Sequence, residues 1–369
     1  MTKKIAVFLA LTLLLVALTG CTGTPVIYMT NCDCPTAAPA TEAPVEVVEP
    51  VATEAPVVEE LPAAEGAVKT GLYIGATARD SVSATAEANG EAKYDVTVVA
   101  VAIDDAGVIT DCIIDSIPAS VAFDANGAIV SDTAAAVLTK NELGEAYGMK
   151  AIANSKYEWN EQAAALADYA VGKTVDELKN GAIDESGKAK DADLASTATI
   201  YLGSYVAGIE FAAANAQHNG AQAGDELRMA IIASVADSAA ATAEKAGTAQ
   251  LNADVAVITM NGETITSCYI DSLQAKVAFD AAGMITSETN VFQTKNELGE
   301  AYGMKAIAKS KYEWNEQAAA FADYVEGKTA AEVAGIAVNE KAAPTDADIA
   351  STVTISVGGF QALIAKAAQ

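Results

Sequence analysis

The chain has 369 residues, enough for two to three domains of ~100–200 residues each. It carries 49 acidic against 22 basic residues, a formal net charge of −27, and a single histidine, His218. This balance excludes a typical nucleic-acid-binding protein, because phosphate contacts come from Lys and Arg. One histidine also argues against histidine-based triads and histidine-rich metal centres. We therefore expect no catalytic residue and no metal site, and any hard chemistry to be carried by a bound group.

The N-terminus has the pattern of an export signal. Two lysines precede the apolar run Ile5–Leu18, which predicts a signal peptide over residues 1–20. The segment Leu18–Cys21 resembles the lipobox of bacterial lipoproteins, which implies cleavage before Cys21 and lipid on that residue. The alternative is an ordinary signal peptide followed by a chance cysteine. Without the two lysines the mature chain has 20 basic against 49 acidic residues, a net charge of −29. Anionic lipids repel such a charge, so the lipid anchor would hold the protein at the extracellular face of the membrane.

A proline- and glutamate-rich segment follows over residues 21–68. It holds seven of the nine prolines and has no Lys or Arg from residue 22 onward. Proline and like charges extend a chain, so we predict a tether that can span at most ~140 Å at ~3.1 Å per residue. Cys32 and Cys34 lie in this segment, either as an idle pair or as a redox or metal site.

The rest of the chain contains two copies of one sequence. Thr139–Ala165 and Thr294–Ala320 differ only at Asn154 against Lys309, with an offset of 155 residues. A period this long indicates tandem globular domains and not a solenoid, whose repeats are ~20–50 residues long.

Each copy changes from a strand pattern to a helix pattern along its length. In the first copy we predict strands at residues 94–103 and 108–117 and a hairpin turn at 124–127, between residues 121–123 and 128–130. A helix is predicted at 159–170, with Glu158 turned away from its buried face. A capping box at Thr174 and Glu177 and a last helix from Ser204 to Ala216 follow. The second copy repeats the capping box at Thr329 and Glu332 and the last helix from Gly359. We therefore predict an α+β fold of two tandem homologous domains, each a small antiparallel sheet followed by helices. The domains span residues 69–217 and 219–369, and His218 at the junction is interpreted as structural.

Cys112 and Cys268 occupy equivalent strand positions in the two copies. A disulfide between them would require the domains to meet sheet to sheet. A buried apolar thiol in each copy is the alternative that we favour.

A short motif near the end of each copy carries the most specific signal. Asp193–Thr199 looks like the acceptor motif of flavin transferases, in which the last threonine receives FMN through a phosphoester bond. Asp348–Thr354 repeats it but departs at Val353, where alanine is usual. The resemblance assigns cofactor binding to Thr199 and Thr354 as covalent acceptors, with Asp193, Ser196, Asp348 and Ser351 as motif residues.

The lipobox, the tether, the two copies and the Thr-Lys-Asn-Glu-Leu-Gly-Glu-Ala-Tyr-Gly-Met-Lys segment ahead of each acceptor resemble flavinylated extracellular electron-transfer lipoproteins of Gram-positive bacteria. The resemblance covers both copies, about four-fifths of the chain. It implies two covalent FMN groups, attached by a flavin transferase. It also implies electron transfer from a membrane NADH dehydrogenase or quinol donor to soluble flavin or metal-ion acceptors outside the cell.

An isoalloxazine ring needs a flat apolar wall and a few polar groups at its edge. The predicted walls are Tyr147, Met149 and Trp159 in the first copy and Tyr302, Met304 and Trp314 in the second. The predicted edges are Lys140, Asn141 and Lys150 in the first copy and Lys295, Asn296 and Lys305 in the second. Ordinary core packing of the aromatic residues, and a solvated surface position for the lysines, are the alternatives.

Three functions are compatible with these features. The first is an electron carrier with no substrate turnover of its own, with a flavin-dependent oxidoreductase as its variant. The second is a lipid-anchored binding module that holds flavin or another small ligand non-covalently. The third is a structural surface lipoprotein, in which the acceptor motif is a coincidence.

Overall fold

The computed structural model describes residues 66–369. The predicted signal peptide, Cys21, the Cys32 and Cys34 pair and almost all of the tether lie outside the described residues. Within residues 66–369, no helix combines the length and the apolar character needed to cross a membrane.

As the sequence predicts, each copy is an antiparallel sheet followed by helices. Each sheet has three strands, and the first strand of each was not predicted. The first copy comprises β1 (Lys69–Thr77), β2 (Gly90–Ile103), β3 (Ile109–Phe123), α1 (Lys140–Leu143), α2 (Met149–Ile152), α3 (Trp159–Ala170), α4 (Val175–Ala182), α5 (Ala192–Thr197) and α6 (Gly203–Ala214). The second copy comprises β4 (Glu226–Ser234), β5 (Gly247–Asn261), β6 (Thr264–Phe279), α7 (Lys295–Leu298), α8 (Met304–Ile307), α9 (Trp314–Val325), α10 (Ala330–Ala334), α11 (Ala347–Ala350) and α12 (Gly358–Ala367). A single 3-10 turn joins α1 to α2, and another joins α7 to α8.

The sheets have the strand orders β1-β2-β3 and β4-β5-β6. The strand predicted to end at residue 117 continues through Pro118 to Phe123. This correction has a simple cause: β3 is an edge strand, where a proline removes no hydrogen bond needed by a second neighbour. The turn predicted at residues 124–127 is present, with Gly127 at φ +71°. Residues 128–130, predicted as a strand, form only an isolated bridge from Ile129 to Phe123.

Two helices begin directly after the predicted capping residues. Thr174 and Glu177 form a capping box at α4, and Thr329 and Glu332 form one at α10. The prediction for Glu158 was wrong. It is the N-cap of α3 and is 3% exposed, because a cap lies outside the helical periodicity and its carboxylate points back into the protein.

The two sheets pack face to face and share one apolar core. Phe123 and Phe279, both fully buried, stack in parallel with ring centroids 4.1 Å apart. The Tyr94 hydroxyl donates a hydrogen bond of 2.7 Å to the backbone carbonyl oxygen of Ala249, across the same interface. The copies therefore form one packed unit and not two separate domains joined by a linker.

The outer face of each sheet is covered by the helices of its own copy. Cys112 and Cys268 lie in these two outer cores as free, buried thiols. The sheets do meet, but the cysteines are on the faces that point away from the interface. Burial raises the pKa of both thiols well above its ordinary value.

Backbone contacts between the copies are reciprocal. Ala76 at the end of β1 bridges to Phe292, and Val137 bridges to Ala233 at the end of β4. Val137 and Phe292 each lie just ahead of the helix that begins the repeated segment. Each copy therefore contacts the segment of chain that leads into the first helix of the other copy's candidate site.

Candidate functional site

The acceptor threonines lie at the surface, in the extended chain between two helices. Thr199 follows α5 and precedes α6, and its side chain is exposed, as is that of Thr354 between α11 and α12. The preceding residue points the other way: Ala198 is 1% exposed and Val353 is fully buried in the outer core. Alanine and valine at this position therefore differ only in how they fill the core, and the orientation of the following threonine is the same in both copies.

A buried glutamine fixes each acceptor. Gln162 on α3 is fully buried, and its Oε1 accepts hydrogen bonds from Thr199 N at 2.7 Å, Thr199 Oγ1 at 3.1 Å and Ile200 N at 3.1 Å. Its Nε2 donates to the carbonyl oxygen of Tyr157 at 3.1 Å and to Ser155 Oγ at 3.3 Å.

The second copy repeats this network. Gln317 Oε1 accepts from Thr354 N at 2.8 Å, Thr354 Oγ1 at 3.0 Å and Ile355 N at 3.2 Å. Its Nε2 donates to Tyr312 and Ser310 at 3.1 and 3.2 Å. The departure at Val353 therefore does not alter the polar contacts of Thr354.

A cavity of about 590 Å³ opens beside Thr199. Its walls are mainly aromatic and apolar, with few polar groups: Asp95, Lys140, Tyr147, Gly148, Met149, Ile152, Ala153, Trp159, Ile200, Tyr201, Ser204 and Tyr205. The volume lies within the ~300–1,000 Å³ range of small-molecule sites. Tyr147, Met149 and Trp159, the predicted wall, thus meet in one cavity, although Trp159 is also a core residue at 3% exposed.

Lys140 is the main cationic feature of this cavity. It is 9% exposed, and its Nζ lies 5.1 Å from the ring centroid of Tyr147 and 4.9 Å from that of Trp159. The faces of aromatic rings attract cations, so this arrangement holds the ammonium group between the two rings. The predicted alternative of a solvated surface lysine therefore does not describe Lys140.

Lys295 has the equivalent position in the second copy. Its Nζ lies 5.3 Å from the Tyr302 centroid and 4.6 Å from the Trp314 centroid. Burial lowers the pKa of Lys295, and the nearby carboxylates of Asp254 and Asp271 oppose that shift.

Several other predicted residues have structural roles away from the cavity. The Asn141 and Asn296 side-chain amides each donate a hydrogen bond of 3.0 Å to a strand carbonyl oxygen, which fastens α1 and α7 to the sheets. Lys150 is exposed and pairs with Glu161 at 2.7 Å, as Lys305 does with its equivalent partner Glu316 at 2.8 Å.

The remaining motif residues belong to short helices. Asp193 and Asp348 are in the first turns of α5 and α11, and both are exposed. Ser196 Oγ donates to the carbonyl oxygen of Asp193 at 2.7 Å, and Ser351 Oγ is 3.5 Å from the hydroxyl of Thr352. These contacts shape the approach to each acceptor.

The segment carrying Met149 is held by a buried carboxylate. Glu158 Oε2 accepts from Met149 N at 2.7 Å, and its Oε1 accepts from Lys150 N at 3.2 Å. Glu313 makes the same contacts to Met304 N and Lys305 N at 2.7 and 3.0 Å. The short α2 and α8 helices, and with them one side of each site, therefore depend on a side chain from the next helix.

We expect Glu158→Ala to reduce the free energy of unfolding by about 1–3 kcal/mol, because it leaves two backbone N–H groups of α2 without an acceptor. Denaturant unfolding measures the loss, and hydrogen exchange at Met149 and Lys150 locates it. Glu145→Ala, at an exposed glutamate of the same segment, is the control and should change stability by less than about 0.5 kcal/mol. Equal effects of the two changes would contradict the anchoring role.

The two copies differ around the cavity. Tyr201 and Tyr205 in the first copy correspond to Ser356 and Phe360 in the second. Trp159 Nε1 donates to the Tyr205 hydroxyl at 3.1 Å. Burial raises the pKa of Tyr205 to about 12.

Gln162, Gln317, Glu158 and Glu313 were not predicted from the sequence as site residues. Their only sequence signal is membership of the 27-residue repeat that is almost identical in the two copies. Comparisons with protein-family models, with curated proteins and with solved structures found no match.

Proposed function

We propose that this protein is a membrane-tethered extracytoplasmic electron carrier with FMN esterified to Thr199 and Thr354. In this proposal it relays electrons from a membrane dehydrogenase to extracellular acceptors. The observation that carries the proposal is made in the first copy, where an exposed threonine, whose hydroxyl donates to a buried glutamine, stands beside an aromatic cavity that begins at the next residue. When bound, FMN accepts and releases electrons, and the chain's own side chains hold and tune it.

The residues present fit that group. Tyr147 and Met149 give the cavity apolar surface, which the largely buried Trp159 ring also lines, and the buried ammonium of Lys140 would favour the negative charge that reduction adds to the flavin ring. The N-terminus of α6 begins four residues after Thr199 and has no side-chain cap, so its free N–H groups favour a nearby phosphate.

The attachment step is a phosphoryl transfer catalysed by a separate flavin transferase. The bond from Thr199 Oγ1 to the FMN phosphorus forms as a phosphoanhydride bond of a flavin dinucleotide breaks, with AMP as the leaving group. The hydroxyl proton passes to the transferase. Covalent attachment keeps the cofactor on a protein that lies outside the cell, where a dissociating flavin would be diluted.

Co-expression with a flavin transferase tests the proposal. After denaturation we expect flavin fluorescence to stay with the chain, and peptides containing Thr199 and Thr354 each to carry the added mass of one FMN less one water. Thr199→Ala should remove the first adduct completely, and Thr354→Ala the second. Thr197→Ala and Thr352→Ala, which remove the neighbouring hydroxyls, are the matched controls and should leave both adducts in place. Bound flavin that persists in the double acceptor variant, or that separates on denaturation, would contradict covalent attachment and favour the non-covalent binding module.

A further inference from the structure

We propose that Gln162 and Gln317 are positioning residues that present the hydroxyls of Thr199 and Thr354 for modification; this inference rests on the proposed flavin ester. A threonine on a surface loop is normally free to rotate about χ1 and to move with its backbone. Here the backbone N–H groups of Thr199 and Ile200 and the Thr199 hydroxyl converge on one carbonyl oxygen, at 2.7 to 3.1 Å.

The orientation of the glutamine amide is fixed by its other end. The carbonyl oxygen of Tyr157 can only accept, so the group 3.1 Å from it must be the Nε2 of Gln162. Oε1 therefore faces Thr199. Because Gln162 and Gln317 are fully buried, their Oε1 atoms have no contact with bulk water and remain available to these donors.

This geometry sets the direction of the acceptor oxygen. A threonine hydroxyl has one proton and two lone pairs, and here the proton is directed into the protein toward Oε1. The lone pairs consequently point away from Gln162, into the exposed surroundings of Thr199. An incoming phosphorus therefore meets a lone pair. Because an amide oxygen cannot take the proton, the hydroxyl then turns from Oε1 to give its proton to the transferase, while the two backbone N–H bonds keep the residue in place.

The same contact distinguishes Thr199 from its neighbours. Ser196, Thr197 and Thr199 place three hydroxyls within four residues. Ser196 Oγ donates to the carbonyl oxygen of Asp193 in the first turn of its own helix at 2.7 Å, and Thr197 Oγ1 lies 3.4 Å from Ser196 Oγ. Of the three, Thr199 is fixed to a buried side chain of another helix, and the second copy gives Thr354 the identical arrangement.

The glutamine also fits the modified state. An ester oxygen cannot donate, so modification removes the hydroxyl bond, but Oε1 keeps the two backbone N–H groups. Gln162 therefore holds the attachment point before and after the reaction.

The test uses the two copies as controls for each other in the full-length chain, co-expressed with a flavin transferase. The wild-type protein must first show adducts on both threonines; their absence refutes the proposed function and not the role of glutamine alone. With adducts present, we expect Gln162→Met to slow modification of Thr199 by about 10²-fold, the effect of losing precise placement of a reacting group. Thr354 in the same molecules should react at the wild-type rate, and Gln317→Met should reverse the pattern. Gln162→Glu retains an acceptor oxygen of the same reach, and its protonated carboxyl can donate to the Tyr157 carbonyl oxygen as the amide does. This variant should restore Thr199 modification above the level of the methionine variant.

Two outcomes overturn the inference: modification of Thr199 at the wild-type rate in Gln162→Met, or an adduct on Ser196 or Thr197 in Thr199→Ala. The second outcome requires no change at the glutamine and decides the question if Gln162→Met does not fold. Protection of the buried Cys112 thiol from a labelling reagent reports whether the first copy is folded in each variant.

Discussion

Phe279→Ala is expected to unfold both copies at a lower denaturant concentration, not the second copy alone. Phe279 is fully buried and stacks on Phe123 of the other sheet at 4.1 Å, in a core to which both sheets contribute. A buried phenylalanine truncated to alanine costs about 3–5 kcal/mol, a large part of the ~5–15 kcal/mol that stabilises a typical domain. Because the shared core is lost as one, Trp159 and Trp314 should report one common transition, shifted in the variant.

The chain provides its own reporters for this experiment, since it has two tryptophans, one in each copy. Trp314→Phe leaves the first copy's signal, and Trp159→Phe leaves the second's. Phe211→Ala is the control, because Phe211 is half exposed and stacks on Tyr73 outside the shared core. It should cost about 1 kcal/mol. A Trp159 transition that Phe279→Ala leaves unshifted would show that the copies unfold independently.

Asp271→Asn is expected to remove one contribution to stability that falls as pH rises from about pH 4 to pH 6. Burial raises the pKa of Asp271 from 3.8 to about 6, and hydrogen bonds from Thr294, Ser272 N and Asn296 N only partly offset it. In this pH range the folded protein binds more protons at Asp271 than the unfolded chain does. Its contribution to the free energy of unfolding therefore falls as pH rises, by about 3 kcal/mol in total at ~1.36 kcal/mol per pH unit.

The measurement is the difference between the wild-type and variant unfolding free energies across that range. Other carboxylates contribute equally to both proteins and cancel. The amide of asparagine still offers an acceptor oxygen to Ser272 N and Asn296 N. Asp115→Asn is the matched change in the first copy, where burial raises the pKa of the equivalent carboxyl in the same direction. Parallel curves for the wild type and Asp271→Asn would mean that Asp271 is ionised throughout this range in the folded protein.

Local signals predicted the elements that depend on local chemistry. The helix from Trp159 to Ala170 follows from its 3.6-residue apolar period, and the helices after Thr174 and Thr329 follow from capping boxes. The first strand of each sheet was not predicted. In β1 (Lys69–Thr77) the strand formers Leu72, Tyr73 and Ile74 stand between Gly71 and Gly75, which weaken a strand pattern, and pairing with β2 defines the element.

The site divides in the same way. Tyr147, Met149 and Trp159 could be predicted as a wall because aromatic and thioether side chains suit a flat ligand, and the structure places them in one cavity. Gln162 could not be predicted, because a glutamine on a helix gives no sign of whether it faces solvent or a loop 37 residues away. Glu158 has an acidic side chain that is usually exposed, and only the return of the chain past α2 buries it.

The sequence by itself determined the duplication, the change from strands to helices along each copy, and the repeated threonine motif, because identity at a fixed offset and local periodicity need no three-dimensional context. Only the tertiary structure decided that the copies share one core, that the two cysteines lie on opposite outer faces, and that each acceptor threonine rests on a buried glutamine. These features depend on which face of each sheet packs against the other sheet and which packs against the helices. Both faces of β2 and β5 are apolar, so their sequences do not distinguish the two, and only long-range packing decides between them.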